Sequence, residues 1–360
     1  MNAKRRLVAA VRQGRMSKVV VCGIGTGGHY FPAIVVAKAL QQRAFDVNFV
    51  VRKGYLEERV ANTFGLKTFF VDARPFYGKS MIGKLLFVFS LAGAVYKLHA
   101  LTSHATVIAF GGFGAVPLVI SCMLNRSMYY IFEPNRVPGR ATRCFAHRAR
   151  RVFLGLPLMG ELNGRSLVTG IPVREKFRER PTVTQRSKKK GTVRVLFYGG
   201  SQGARRLNDL AIELQGLMPK KWHVTIISGA RDYDRVTQQK GSHARVLSFA
   251  ERPWEEIELA DIVVSRAGAL AGYEILCLDK KVMFIPFPYA IDNHQYYNAE
   301  YFAEIGDATV LEEGNLTAEL VKERLIELLK RAKHKAVRVA MDAEEKIVEC
   351  IAGDIANEET

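Results

Sequence analysis

The sequence predicts an α/β protein with two Rossmann-like domains, whose parallel sheets face a central crevice. One observation is a strand, a glycine-rich turn and a helix that occur twice, at residues 18–43 and 193–214. A second is the series of short apolar strands, separated by helical stretches, that follows each copy. The third is composition: 360 residues with 48% hydrophobic and 24% charged side chains exclude a disordered or fibrous chain.

The first domain begins with KVVVCGIGTGGHYFPAIVVAKALQQR, residues 18–43. This segment contains a β-branched strand, a glycine-rich turn and an amphipathic helix with Pro32 near its start. Further buried strands are predicted at residues 46–51, 68–72, 105–112 and 128–135. Strands that alternate with helices in this way are typical of a parallel sheet.

The second domain repeats the pattern, with strands predicted at residues 223–228, 245–249, 260–268 and 282–287. The polar segment 178–192 cannot build a core and is predicted to be a linker, whereas 317–357 has high helical propensity. The predicted organisation is a basic extension (1–16), a first domain (17–177), the linker (178–192), a second domain (193–335) and a C-terminal helix that packs back on the first domain (336–360).

The charge is strongly asymmetric. Lys and Arg outnumber Asp and Glu by 53 to 35, and residues 1–176 alone hold 26 basic and 7 acidic side chains. Such an excess indicates a polyanionic partner, either nucleic acid or an anionic membrane. We predict no nucleic-acid binding, because the sequence has neither aromatic stacking motifs nor a basic groove-reading helix. The five cysteines are widely spaced and indicate neither a disulfide framework nor a zinc site.

The most apolar stretch, residues 74–101, has only 12 uncharged residues between Lys84 and Lys97. That length is too short to span a bilayer. Apolar residues flanked by basic ones fit an element that lies on an anionic membrane. A buried core helix with Lys at its ends is the alternative, and both remain open.

The first glycine-rich turn, Gly25 to His29, is placed to bind an anion at a helix start. It lacks the Lys-Ser/Thr of a P-loop and the spacing of a dinucleotide fingerprint, which disfavours both classes. His29 in the first turn faces the expected crevice, where a neutral imidazole can accept a proton. The alternative is a capping or solvated histidine.

The second domain offers a matching set of candidates. The turn Gly199–Ala204 carries Ser201, whose hydroxyl suits a diphosphate, although helix packing requires only the glycines. Glu274 lies one to two helical turns beyond the predicted strand 260–268 and is suited to ribose hydroxyls, with a surface helix acid as the alternative. Gln295 lies near a helix start in an amide-rich segment suited to sugar hydroxyls, where N-capping by Asp292 or Asn293 is the alternative.

Asp232 and Asp234 form an Asp-x-Asp pattern that resembles an oxygen-ligand metal site. The pair follows a glycine-containing loop at the start of a predicted helix, so capping explains it better. We predict no metal.

Seven segments, taken in order, resemble the MurG family, the UDP-N-acetylglucosamine:undecaprenyl-pyrophosphoryl-MurNAc-pentapeptide N-acetylglucosaminyltransferases of bacterial cell-wall synthesis. One glycine-rich loop would be weak evidence, but seven ordered segments across nearly the whole chain are highly specific. They are GTGGHYFPA (25–33), GGFGAVP (111–117), EPNRVPGRATR (133–143), TGIPVR (169–174), GGSQGARRLN (199–208), SRAGALAGYE (265–274) and HQYYNA (294–299).

The resemblance implies a GT-B fold and an inverting, metal-independent transfer of GlcNAc from UDP-GlcNAc to the 4-hydroxyl of lipid-linked MurNAc, with no cofactor. It implies an acceptor-binding, membrane-facing first domain and a donor-binding second domain. It further implies a peripheral protein on the cytoplasmic face of the inner membrane, with partners among cell-wall synthesis proteins. A GT-B transferase acting on another lipid or natural-product acceptor is the alternative.

The resemblance also implies residue roles. His29 would be the general base, with Thr26, Gly27 and Gly28 lining the diphosphate and acceptor side. Asn135 and Gln295 would bind GlcNAc hydroxyls, and Arg174 would close the donor site. The remaining donor contacts would be made by Ser201 (phosphate), the backbone at Ala250 (uracil), residues Ala269, Leu270, Ala271, Gly272 and Tyr273 (phosphates), and Glu274 (ribose). Departures from the family pattern occur at Ile24, Pro134, Ile171, Ala250 and Ala271.

Overall fold

The computed structural model describes residues 17–53, 58, 61, 63–71, 81–179, 191–200, 202–332 and 339–358. The predicted extension 1–16, most of the predicted linker and Ser201 therefore lie outside the described residues. The chain divides into two compact units. The first comprises residues 1–174 and 342–360, and the second comprises residues 175–341.

The first unit contains a parallel sheet with strand order β3-β2-β1-β4-β5-β6-β7 in the described part of the chain. Its strands are β1 (Lys18–Cys22), β2 (Asp46–Val51), β3 (Lys67–Phe70), β4 (Thr106–Phe110), β5 (Tyr129–Glu133), β6 (Arg151–Leu154) and β7 (Ser166–Val168). Its helices are α1 (Gly27–Gln42), α2 (Met81–Thr102), α3 (Val116–Asn125) and α4 (Arg140–Phe145). The first five strands coincide with the predicted ones, whereas β6 and β7 were not predicted from the sequence.

The second unit contains a parallel sheet with strand order β10-β9-β8-β11-β12-β13 in the described residues. Its strands are β8 (Val193–Tyr198), β9 (Trp222–Ile227), β10 (Ala244–Leu247), β11 (Ile262–Ser265), β12 (Lys281–Phe284) and β13 (Ala308–Val310). Its helices are α5 (Glu175–Arg178), α6 (Arg205–Gln215), α7 (Tyr233–Gln239), α8 (Pro253–Leu259), α9 (Ala269–Cys277), α10 (His294–Ile305) and α11 (Ala318–Lys330).

Both sheets have the Rossmann strand order, so the predicted doubly wound fold is confirmed. In each sheet the order reverses between the first and the fourth strand, which are β1 and β4 in one unit and β8 and β11 in the other. Ligands of such sheets bind at the carboxyl ends of the strands that flank this reversal. The loops after these four strands are therefore where the two sites are expected.

The last helix, α12 (Ala343–Glu358), belongs to the first unit. Its buried Ile347, Val348 and Ile351 face inward. Asp354 accepts a hydrogen bond from the Tyr130 hydroxyl (2.9 Å) and pairs with Arg150 (3.1 Å). Burial and the Asp354 carboxylate raise the pKa of Tyr130, so its hydroxyl keeps its proton and remains the donor in this contact.

Helix α2 has two different faces. Ala94, Leu98 and Leu101 are buried in the core of the first unit. On the outer face Phe89 and Tyr96 are 67% and 83% exposed. The interpretation as a core helix is therefore correct for the inner face. The outer face exposes apolar side chains to solvent.

Within the described ranges, no helix combines the length and the apolar character needed to cross a membrane.

Candidate active site

His29 lies in a cradle of glycine backbone at the carboxyl edge of the first sheet. A Cβ atom added to Gly25 would come within 2.8 Å of its Nδ1, and one added to Gly111 would come within 3.1 Å of Cδ2. A Cβ on Gly112 would lie 3.6 Å from Cε1. The Thr26 hydroxyl is 3.4 Å from Nδ1. The half-buried ring is thus held between two loops, which disfavours the interpretation as a freely solvated histidine.

The two loops of the cradle follow β1 and β4, the strands that flank the reversal of strand order. Gly111 and Gly112 have φ values of 53° and 71°, a backbone region that favours glycine. Helix α1 begins at Gly27, and Gly28 adds a second side-chain-free residue to its first turn. The sequence therefore brings backbone amides and an imidazole together where an anionic or hydroxyl-bearing ligand is expected.

A buried carboxylate organises the loop that carries Asn135. Glu133 is 3% exposed at the end of β5, and its Oε1 accepts hydrogen bonds from the backbone N–H (3.1 Å) and the side-chain NH2 (3.2 Å) of Asn135. Its Oε2 accepts hydrogen bonds from Gly139 N–H (2.9 Å) and the Thr142 hydroxyl (2.6 Å). Sequence reasoning missed Glu133, although an acidic residue that ends an apolar strand was a usable signal.

Two of the departures from the family pattern pack against one glycine. A Cβ on Gly155 would come within 2.7 Å of Ile171 Cγ1 and 3.0 Å of Pro134 Cα. The Gly155 N–H donates to the Glu133 carbonyl (2.8 Å), so this contact adjoins the loop that Glu133 organises. Pro134 and Ile171 therefore serve local packing beside the site.

Arg174, the last residue of the first unit, lies over the ring of Phe31, with 4.3 Å between the guanidinium carbon and the ring centroid. Phe31 follows His29 by two residues on α1. A cation over an aromatic face is an attractive contact, so α1 helps to orient Arg174. The proposed role of Arg174 at the donor remains a prediction.

In the second unit, the loop after β8 packs on the loop after β9. Gly200 and Gly203 have φ values of 78° and 75°. A Cβ on Gly203 would come within 2.0 Å of the Ser228 carbonyl oxygen, and one on Gly229 within 2.5 Å of the Gln202 oxygen. Gly203 and Gly229 are therefore required for packing, whereas a Cβ on Gly200 would meet no described atom within 4 Å, and only its φ favours glycine. The phosphate role of Ser201, between Gly200 and Gln202, remains a prediction because Ser201 lies outside the described residues.

Helix α9 begins after β11, the strand that neighbours β8 at the point where the strand order reverses. Ala269, Leu270, Gly272 and Tyr273 are buried, and Ala271 is half-buried. A Cβ on Gly272 would come within 2.2 Å of the Phe302 ring, so the close packing of α9 on α10 requires glycine here. In the first turn, backbone N–H groups rather than side chains are placed to meet a phosphate, although the Gly272 N–H already donates to the Gly268 carbonyl (2.9 Å). The phosphate role of the five residues remains a prediction.

Glu274 is 2% exposed in the second turn of α9, so the interpretation as a surface helix acid is wrong. Its ribose role remains a prediction. Ala250 lies three residues beyond β10, half-buried, beside the partly exposed Phe249. The uracil contact of its backbone is likewise untested.

Gln295 lies in the first turn of α10. Its Oε1 accepts a hydrogen bond from the Phe287 N–H (3.0 Å). Asp292 and Asn293, just before the helix, both have φ of 52°, and Asn293 makes no side-chain cap bond to any described residue. Capping by Asn293 therefore does not explain this amide-rich segment.

The Asp-x-Asp pattern has a different explanation from the expected capping, since Asp232 makes no side-chain cap bond among the described residues. Both of its carboxylate oxygens bind Arg235 at 2.7 Å, and Oδ2 also accepts from Asn208 (2.8 Å). The Arg235 guanidinium lowers the pKa of this carboxyl. Across the described residues, no group of three or more His, Cys, Asp or Glu side chains is placed to hold a metal ion.

The fold and the two sites define a two-domain glycosyltransferase of the GT-B type. Residues 19–154 match the glycosyltransferase family 28 N-terminal domain, and residues 194–352 match the glycosyltransferase family 28 C-terminal domain. The crystal structure of Acinetobacter baumannii MurG is similar, with a TM-score of 0.69 and 23% identity over 95% of this chain and 99% of that one.

Curated relatives carry the name UDP-N-acetylglucosamine--N-acetylmuramyl-(pentapeptide) pyrophosphoryl-undecaprenol N-acetylglucosamine transferase. The protein from Sulfurihydrogenibium sp. is 32% identical over 95% of this chain and 100% of its own length. The protein from Coxiella burnetii (strain RSA 331) is 32% identical over 84% of this chain and 87% of its own. The chain belongs to the MurG family, which confirms the resemblance found in the sequence.

Proposed function

We propose that the protein transfers GlcNAc from UDP-GlcNAc to the 4-hydroxyl of MurNAc in undecaprenyl-pyrophosphoryl-MurNAc-pentapeptide, a step of peptidoglycan synthesis. The observation that carries this function is the similarity, along nearly the whole chain, to transferases named for this donor and acceptor. His29, held by Gly25 and Gly111 at the reversal of the first sheet, supplies a suitable group for the chemistry.

His29 is the general base of the proposed reaction. The acceptor oxygen attacks the anomeric carbon of GlcNAc while the bond from that carbon to the UDP oxygen breaks, and the configuration inverts. The hydroxyl proton passes to the imidazole, and the bond electrons leave with UDP. A neutral imidazole is suited to this transfer near neutral pH. The ring nitrogens lie where a side chain at Gly25 or Gly111 would otherwise come, so glycine at both positions lets the imidazole occupy this place.

The negative charge that develops on UDP is met by the backbone N–H groups at the start of α9 and by the loop after β8. Glu274 binds the ribose, the backbone at Ala250 contacts the uracil, and Ser201 contacts a phosphate. Arg174 closes the donor site. Asn135 and Gln295 bind hydroxyls of GlcNAc, and Thr26, Gly27 and Gly28 line the acceptor and diphosphate side.

The outer face of α2 binds the cytoplasmic surface of the inner membrane in this proposal. Leu86, Phe89 and Tyr96 supply exposed apolar area, and Lys97 supplies positive charge beside them. Exposed apolar side chains together with basic ones favour peripheral binding to anionic lipid. The basic excess of residues 1–176 acts in the same direction.

Incubation with UDP-GlcNAc and lipid-linked MurNAc-pentapeptide tests the function. We expect UDP release and a product heavier by one GlcNAc. Absence of product with this acceptor, together with product from a different glycolipid, would favour the alternative acceptor class.

A further inference from the structure

Arg266 is a buried cation that joins three segments of the second unit. It follows β11, and its Nη1 donates to the carbonyl oxygens of Ile285 (3.0 Å) and Pro286 (3.1 Å), which follow β12. Glu313 forms an ion pair with the same guanidinium. Burial lowers the pKa of Arg266, but an arginine side chain stays protonated in proteins. The paired charge and the two carbonyls offset the cost of burying this group.

The backbone that Arg266 holds leads directly to Gln295. The guanidinium lies over the ring of Phe287, 5.4 Å from its centroid. The Phe287 N–H donates to Gln295 Oε1 at 3.0 Å. An amide oxygen must face this N–H, which assigns the orientation of the Gln295 side chain. The NH2 group is then what Gln295 offers to a ligand.

We propose that Arg266 is a positioning residue for the donor sugar. By holding residues 285–287, it fixes Gln295 so that the NH2 group donates to an oxygen of GlcNAc. This inference rests on the proposed function, in which Gln295 binds GlcNAc. A planar guanidinium donates to two carbonyls while covering an aromatic ring, a combination that a lysine ammonium does not reproduce.

Binding of UDP-GlcNAc and of UDP to the full chain separates the sugar contact from the nucleotide contact. Gln295→Glu keeps an oxygen for the Phe287 N–H, and it replaces the NH2 donor with a second oxygen that shares a negative charge. We expect its affinity for UDP-GlcNAc to fall about tenfold with UDP affinity unchanged. Arg266→Lys should lower UDP-GlcNAc affinity to a similar extent. The losses should not add in the double variant, because both act on one contact.

Lys281→Met is the matched control. Lys281 lies at the other end of β12, where its ammonium also binds backbone carbonyls, those of Leu328 (2.8 Å), Leu329 (2.9 Å) and Arg331. Its loss should leave the ratio of the UDP-GlcNAc and UDP affinities at the wild-type value. Glu313→Gln keeps Arg266 and replaces its ion pair with a contact to a neutral amide. It should lower that ratio less than Arg266→Lys does, and it provides a milder variant should Arg266→Lys fold poorly.

A wild-type ratio in both Arg266→Lys and Glu313→Gln, beside a reduced ratio in Gln295→Glu, would overturn the positioning role alone. Losses that multiply in the double variant would also overturn it. Unchanged UDP-GlcNAc affinity in Gln295→Glu would overturn the sugar contact and the positioning role together. The three outcomes above concern binding only. The transfer reaction itself is tested separately, by product formation with the wild-type protein.

Discussion

The imidazole of His29 packs against the backbone of Gly111, where a Cβ would come within 3.1 Å of the ring. These residues are 82 positions apart and meet because β1 and β4 are neighbours in the sheet. The contact leaves His29 little room to shift, since Gly25 borders the ring at Nδ1. In the proposed reaction, an imidazole held in this way needs no reorientation before it accepts the proton.

Gly111→Ala is expected to reduce turnover about 10- to 100-fold, because the added methyl displaces His29 from its reactive position. The strained φ should also cost about 1–2 kcal/mol of unfolding free energy. Gly65→Ala is the matched control, since Gly65 has φ of 65° and no described atom would contact its Cβ within 4 Å. Steady-state kinetics with thermal unfolding checks both variants. Equal turnover losses in the two would contradict the role of the cradle.

Glu133→Gln is expected to destabilise the protein by about 1–3 kcal/mol, because an amide places an NH2 group against donors that now face a carboxylate. Thr142→Val should lose less stability, because the Gly139 N–H still donates to Glu133 Oε2. Thr142→Ser should retain the hydrogen bond to that oxygen. Chemical denaturation measures all three. Wild-type stability in Glu133→Gln would contradict the organising role of this carboxylate.

The Asp232–Arg235 pair predicts a pH dependence of stability. Arg235 holds the folded-state pKa of Asp232 below its ordinary value of 3.8. The stabilisation is therefore fully present above that value and is lost as pH falls through the lower folded-state pKa. The stability difference between wild type and Asp232→Asn should thus be constant near neutral pH and shrink below about pH 4. A difference that is unchanged in acid would contradict this assignment.

Replacing Phe89 and Tyr96 by Ser should weaken binding to anionic vesicles about tenfold or more, because each exposed ring removes apolar area from water on binding. Binding should also weaken with salt. Val168→Ser, at a half-exposed apolar position on β7, is the control and should bind normally. Co-sedimentation with vesicles of varied anionic lipid content measures this. Equal binding by the double variant would place the membrane contact elsewhere.

The fold class was predictable because each domain begins with a strand, a glycine-rich turn and a helix that are contiguous in the sequence. Strands β6, β7 and β13 escaped prediction since they are only three or four residues long, and β7 is also exposed along its length. The partners of Glu133 lie two to nine residues ahead, in the loop after β5 and in the first turn of α4, so only the folded backbone reveals them. Asp232 was wrongly expected to cap a helix, because an ion pair with Arg235 competes for the same carboxylate.

His29→Ala, assayed with UDP-GlcNAc and lipid-linked MurNAc-pentapeptide, tests the central claim most directly. Loss of a general base predicts a fall in kcat of about 10²- to 10⁴-fold, with the affinity for UDP-GlcNAc retained. Near-wild-type turnover with intact donor binding would contradict the assignment of His29 as the base.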